Sequence, residues 1–250
     1  MSEVDGVILA GGQGTRLRSV VSDRPKVLAL VNGKPFLARL LDQLKEAGVR
    51  SVVLSTGYMA HHVESTIGET HDGMRIRYSR EQQPLGTGGG LRLALAKTDS
   101  DPILVLNGDS FCEVDLEQLF RFHCAKLARA TIVLAQVEDT SRFGRVETDS
   151  AGAVTGFEEK GAAASAGWIN AGIYCLNREV AANIPAAQPS SLEREVFPRL
   201  IGTGLFGFKA GREFLDIGTP RSYEKAQSFF KPRDEAILPH SDSRRSPAKG

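Results

Sequence analysis

Residues 7–31 read VILAGGQGTRLRSVVSDRPKVLALV, and their chemistry is concentrated in Gly11, Gly12, Gly14 and Arg16, with Lys26 further along. Glycine lets backbone N–H groups approach an anion without a Cβ in the way. A guanidinium fork beside them grips phosphate oxygens. The loop therefore has the makings of a phosphate cradle, although the same residues also suit a tight turn with a surface arginine. Two common phosphate loops are excluded. The pattern G-x-x-x-x-G-K-[ST] is absent, and Leu17 stands where the dinucleotide fingerprint needs its third glycine.

Other residues able to do chemistry lie further along. REQQPLGTGGGL (80–91) carries Glu81 ahead of a glycine-rich helix start, and a helix N-terminus favours anions. A carboxylate accepts two parallel hydrogen bonds. A helix cap or surface position is the commoner role for one glutamate; were a nucleobase to lie here, guanine would offer two adjacent donors where uracil or thymine offers one, and Glu81 would lean toward guanine. ILVLNGDS (103–110) ends an apolar run in Asp109, and FLDIGTP (214–220) supplies Asp216 just before the last helical segment. Mg²⁺ takes one or two carboxylates plus phosphate oxygens, and both aspartates suit that task or a helix cap. GFEEK (156–160), with Glu158, Glu159 and Lys160, and INAG (169–172) complete the set, the former also readable as an exposed charged strand end. Glu113 and Asp115 read as surface or capping residues, and His61–His62 as a surface pair without a third ligand.

These residues need strand tips to hold them. Short apolar runs at 6–10, 51–56, 74–79, 102–108 and 130–137 alternate with helix-period segments such as PFLARLLDQLKEAG. Nearly continuous apolar runs suit strands buried on both faces. Strand–helix alternation predicts an α/β fold with a mainly parallel sheet covered on both sides. After about residue 140 the pattern becomes a hairpin turning at Asp149 to Gly152, a strand in WINAGIYCL, a capped helix in SSLEREVFPRL, two short strands and a final helix capped by Thr219 with Pro220 at its first position. A single domain over 1–231 is expected, followed by a disordered tail over 232–250. Trp168 is expected to pack beside the INAG segment.

Composition narrows the class. The 250 residues carry 31 Lys+Arg against 30 Asp+Glu, a formal net charge of +1, which argues against a nucleic-acid partner. Cys112, Cys124 and Cys175 have no paired metal spacing and suit free thiols in a reducing compartment. The start MSEVDG lacks a signal-peptide pattern, and no apolar run approaches the roughly 18 residues of a membrane helix. A cytoplasmic protein without a membrane partner is expected; a homo-oligomer is compatible with the composition.

The composite LAGGQGTRLRS…DRPKVLALVNGKPFL resembles the opening of the sugar-1-phosphate nucleotidyltransferases, and the resemblance covers residues 4 to 230. It implies a Rossmann-like three-layer sandwich with a mainly parallel central mixed sheet and a smaller β-rich sugar-binding half. It implies a nucleoside triphosphate and a sugar 1-phosphate as substrates, and Mg²⁺ as cofactor. On the matching positions, Arg16 and Lys26 are catalytic; Leu9, Ala10, Gly11, Gly12, Gly14, Thr15, Glu81, Pro84, Gly86 and Thr87 bind nucleotide, with Gly88 adding a backbone contact. Gly144, Glu159, Lys160 and Asn170, with Gly172 beside it, bind the sugar phosphate. Asp109 and Asp216 hold the metal. PLGTGGGL, VLNGDSF and FLDIGTP look most like the D-glycero-α-D-manno-heptose 1-phosphate guanylyltransferases, which favours GTP and a role in bacterial surface polysaccharide synthesis. Related readings are mannose 1-phosphate as acceptor, another base, or a non-catalytic nucleotide-sugar-binding regulator.

Overall fold

The computed structural model describes residues 1–158, 165–211 and 213–237. The first half alternates as the sequence pattern requires. Strand β1 (Asp5–Ala10) leads through two short strands, β2 (Leu30–Val31) and β3 (Lys34–Pro35), into helix α1 (Phe36–Glu46). There follow β4 (Ser51–Thr56), α2 (Ala60–Ile67), β5 (Thr70–His71), β6 (Met74–Arg80), α3 (Gly86–Ala94) and β7 (Ile103–Asn107). The second half adds β8 (Ser110–Cys112), α4 (Leu116–Ala125), β9 (Ala130–Val137), β10 (Val146–Thr148), β11 (Val154–Phe157), β12 (Gly167–Leu176) and α5 (Arg178–Ala182). It closes with β13 (Leu205–Gly211), β14 (Phe214–Asp216) and α6 (Pro220–Ile237).

Eight strands form one sheet in the order β13–β9–β12–β7–β1–β4–β6–β5. β7, β1, β4 and β6 are mutually parallel, β9 and β13 run the same way, and β12 is antiparallel to both of its neighbours. The β-rich half is thus a continuation of the parallel half across β12. The β2–β3, β8–β14 and β10–β11 pairs stand apart from that sheet; the last is a hairpin turning at Asp149, whose carboxylate accepts from the Ala151 and Ala153 amides. The central strands bury both faces. Val7, Val53 and Val105 enter one core layer and Ile8, Leu54 and Leu106 the other, each buried aliphatic side chain being worth about 1.5–3 kcal/mol. Phe36, Leu37, Leu40, Leu41 and Leu44 of α1 are fully buried against the sheet. Asp115 caps α4 through the amides of Glu117 and Gln118.

Two expectations change in detail. SSLEREVFPRL is a π-helical turn at Leu192–Val196 followed by a 3₁₀ turn at Pro198–Leu200. Ser191 still caps it, but Pro198 has no N–H to continue an α-helix, and the Leu192 amide donates outward to Thr87. The last helix, capped by Thr219 as expected, runs to Ile237, into the segment read as a tail; 238–250 lie outside the described residues.

Candidate active site

β1 sits between β4 and β7, so the chain leaves it toward opposite sides of the sheet, and the crevice beyond the strand ends at such a switch point is where α/β sheets bind ligands. The glycine loop lies there. Leu9 and Ala10 finish β1, and Gly14 adopts φ +59° to open a 3₁₀ turn over Thr15–Leu17. Leu17 is buried and pins that turn, leaving Thr15 and Arg16 exposed. A Cβ at Gly14 would lie 2.8 Å from Lys26 Cβ, so a side chain there would push the lysine away. Lys26 in turn pairs with the Asp109 carboxylate. The amide of Gly108 donates to Leu9 O at 2.9 Å, which ties the tip of β7 to the end of β1.

Asp109 and Asp216 arrive from distant parts of the chain. β8 pairs with β14, opposing Ser110 to Asp216, and the Ile217 amide donates to Asp109 O at 2.9 Å. The geometry therefore sets both aspartates side by side at the strand tips. A cation faces each one: Lys26 on Asp109, and Arg142 on Asp216 at 3.2 Å. A Cβ at Gly218 would lie 3.5 Å from Arg16 Nη2 and 2.9 Å from Asp216 Oδ1, so Arg16 reaches the same corner. Carboxylates are hard oxygen donors of the kind Mg²⁺ takes together with phosphate, so two aspartates on neighbouring strand ends fit the expected ion. Another group, Asp42, His71 and Asp72, also brings potential ligand atoms together. His71 bonds Asp42 at 2.8 Å and Lys34 pairs with the same carboxylate. His71 opposes Met74, the first residue of β6, at the far end of that strand from Glu81. This group therefore lies away from the glycine loop.

Glu81 follows β6. Its carboxylate accepts from the Leu85 amide at 2.9 Å and from Ser55 Oγ at 3.3 Å. Cβ atoms built at Gly11 and Gly90 would fall 2.6 and 2.8 Å from its Oε1, so the carboxylate lies wedged between two stretches of bare backbone. Burial raises its pKa, while the bonds from Leu85 and Ser55 oppose the shift. Each carboxylate oxygen keeps a free lone pair for an incoming donor. Ser55, inside an apolar strand, gave no local signal for this role.

The rest of the glycine-rich segment also packs closely on the chain itself. The amides of Gly88 and Gly89 donate to Ser190 O. Cβ atoms at Gly86 and Gly89 would come within 2.5 and 2.6 Å of the carbonyl oxygens of Ser190 and Gln188. These glycines admit the chain's own 188–190 segment, and these two first-turn donors of α3 are committed to it. The Thr87 hydroxyl bonds Glu193 and accepts from Leu192. Pro84 is exposed in the loop between Glu81 and α3.

On the other side of Asp109, Asn170 and Gly172 sit on β12, the sheet neighbour of β7. Gly144 is buried in the Thr140–Gly144 turn, which also carries Arg142, the cation on Asp216. Glu159 and Lys160 lie outside the described residues. Trp168 is half-buried on β12 with Lys209 over its ring, and an open cavity of about 520 Å³ lies there, lined also by Arg145, Glu147 and Thr148. Cys112 and Cys175 are buried, and burial pushes the Cys112 thiol up to about 12, which removes it as a nucleophile. Among the described residues no helix is long and apolar enough to cross a membrane.

Read along the sheet edge, the groups fall in a line. Glu81 follows β6, the glycine loop follows β1, Asp109 follows β7 and Asn170 lies on β12. Comparison with known proteins gives the family. The family model described as nucleotidyl transferase matches residues 5–232. The chain is 37% identical over 225 residues to a D-glycero-alpha-D-manno-heptose 1-phosphate guanylyltransferase of Aneurinibacillus thermoaerophilus, covering 90% of this chain and 97% of the relative. It is 38% identical over 230 residues to the mannose-1-phosphate guanylyltransferase of Mycobacterium tuberculosis, covering 90% of this chain but 64% of that longer protein. Among solved structures, HddC from Yersinia pseudotuberculosis complexed with GMP-PN superposes with a TM-score of 0.81 at 34% identity, covering 91% of this chain and all of that one.

Proposed function

This chain belongs to the nucleotidyl transferase family, and we propose that it transfers GMP from GTP to a sugar 1-phosphate, releasing pyrophosphate. The observation that carries this reading is the linear order of base, phosphate and sugar groups along one sheet edge. Glu81 takes the N1–H and N2–H donors of guanine. The amides of the Gly11–Gly14 loop and Arg16 hold the triphosphate. Beyond Asp109, Asn170 and the turn carrying Gly144 face the sugar, with Glu159 and Lys160 as further sugar and phosphate ligands.

Chemically, an oxygen of the sugar phosphate attacks the α-phosphorus in line, and pyrophosphate departs without a covalent enzyme intermediate. The protein contributes position and charge. Arg16 stabilises the leaving pyrophosphate. Lys26 holds the α-phosphate side, and its pairing with Asp109 keeps it aimed at the reacting centre. Mg²⁺ held by Asp109 and Asp216 would neutralise phosphate charge and orient the α-phosphate.

We take the acceptor to be D-glycero-α-D-manno-heptose 1-phosphate, supported by the match along 97% of a heptose 1-phosphate enzyme. Mannose 1-phosphate is the second reading, supported by similar identity to mannose-1-phosphate guanylyltransferases. A matrix of GTP, UTP, dTTP and ATP against heptose, mannose and glucose 1-phosphates, scored by pyrophosphate formed, tests both. GTP should lead with heptose 1-phosphate. Equal rates with UTP or dTTP would remove the guanine assignment, and no pyrophosphate from any pair would remove the catalytic one.

A further inference from the structure

Beneath the sugar side lies a buried polar network that the proposed chemistry does not use. Tyr174 of β12 is fully buried in the core layer shared with Leu134, Leu176 and Phe197. Its hydroxyl donates to Glu193 Oε1 at 3.1 Å. It accepts from Asn107 Nδ2 at 3.2 Å and from Asn170 Nδ2 at 3.1 Å. Glu193 also accepts from the hydroxyls of Thr87 and Ser191, at 2.7 and 3.0 Å. Four stretches of chain are joined: the tip of β7, the middle of β12, the π turn and the start of α3.

The directions of these bonds follow from chemistry. An ionised carboxylate only accepts, so the single tyrosine proton is committed to Glu193. The phenol oxygen is then left as an acceptor only, and both asparagines must present their NH₂ groups to it. The flip of each amide is thereby fixed. Asn170 Oδ1 takes the Gly172 amide at 2.8 Å. Asn107 Oδ1 is buried and has no hydrogen-bond partner among the described residues. An unmet buried acceptor costs about 1–3 kcal/mol, and this one stands two residues before Asp109. That oxygen has no open surface, so what remains to bind with is one N–H on each amide. Sugar hydroxyls accept from such donors. Asn107 and Asn170 lie on β7 and β12, away from Glu81 across β1 and β4, so they face the sugar rather than the base.

We propose that Tyr174, held by Glu193, is a positioning residue that fixes the amides of Asn107 and Asn170 to read hydroxyls of the sugar 1-phosphate. The proposal rests on the sugar-1-phosphate reading above. Without the phenol oxygen the Asn107 amide is free to turn over and offer the wrong group to the sugar, while Asn170, still held through Oδ1 by the Gly172 amide, loses the anchor on its NH₂.

The test is Tyr174→Phe, assayed with the sugar 1-phosphate that the wild-type enzyme uses best. KM for that sugar 1-phosphate should rise about tenfold or more, as for the loss of one or two hydrogen bonds, while KM for GTP stays within about twofold. Repeating the substitution in an Asn107→Ala/Asn170→Ala background separates positioning from packing: the added loss should vanish there, whereas a purely structural tyrosine gives the same loss in both backgrounds. Glu193→Gln, which keeps one acceptor for the phenol, should fall between wild type and Tyr174→Phe. An unchanged sugar KM in Tyr174→Phe, equal rises in both KM values, or an undiminished loss in the double-alanine background overturns the proposal and leaves the enzyme reading intact. A wild-type protein that neither turns over nor binds any sugar 1-phosphate by calorimetry overturns both.

Discussion

At Asp109 and Lys26, opposite charges from the β7 tip and the glycine loop pair directly. Asp109→Ala and Lys26→Ala should each lower kcat on the order of a hundredfold or more while circular dichroism and melting stay close to wild type, since neither side chain belongs to the core. Near-normal turnover in either variant would reject its assignment. Glu81 gives a pH signature. Burial raises its pKa, so the folded protein holds this proton to higher pH than the unfolded chain does. Stability contributed by the neutral acid is therefore lost as pH climbs from the unfolded value through the raised folded one. Guanine needs the ionised form, so the KM for GTP should climb on acidification, starting at higher pH than an exposed glutamate would dictate. Glu81→Gln presents an amide donor to guanine's donors. It should raise the KM for GTP roughly ten- to a hundredfold, abolish that pH dependence, and be at least as stable as wild type at neutral pH. A wild-type KM that is flat with pH down to the ordinary carboxylate range would argue against guanine recognition by Glu81.

At the element scale, strand tips were legible where glycine and charge interrupt an apolar run, as at Gly11 after β1 and Asp109 after β7. Helices were legible where caps announce them, as at Asp115 and Thr219. The pairing of β8 with β14 was not, because three residues are too few for alternation to show; yet it brings Asp216 to Asp109. Tyr174 and Glu193 were also silent. One is a lone polar group in a run that reads as apolar, and the other is a charge in a segment that reads as an ordinary capped helix. The glycines of α3 carry two readings at once, since a gap for the chain's own backbone and a gap for a ligand are written with the same residue. That distinction can be measured. Gly86→Ala forces a Cβ to within 2.5 Å of Ser190 O at φ +69°, and overpacking of this kind costs about 1–3 kcal/mol, so it should lower the melting temperature. Gly90→Ala sits in regular helix and crowds Glu81 Oε1 at 2.8 Å instead; it should raise the KM for GTP with little loss of stability. Loss of stability without a KM effect in Gly90→Ala would show that the Glu81 pocket is not where the base binds.

For the whole molecule, one sheet carries Glu81, the glycine loop, Asp109 and Asn170 at its strand ends, so occupation of that edge should stiffen both halves together. Ligand at about a hundred times its Kd adds roughly 2.7 kcal/mol to the folded state. GTP with Mg²⁺ should therefore raise the melting temperature, and Asp216→Ala should remove the magnesium-dependent part of the rise. A rise that is identical with and without Mg²⁺ in the wild type would separate the two aspartates from nucleotide binding. The clasp between β8 and β14 bears on biosynthesis too. Asp109 leaves the ribosome early, but its companion is translated only after the long excursion through the β10–β11 hairpin, β12 and β13. A nascent chain could thus fold its glycine loop and meet cellular nucleotides while still incapable of turnover, and activity would switch on in a single late event when the two acidic tips dock.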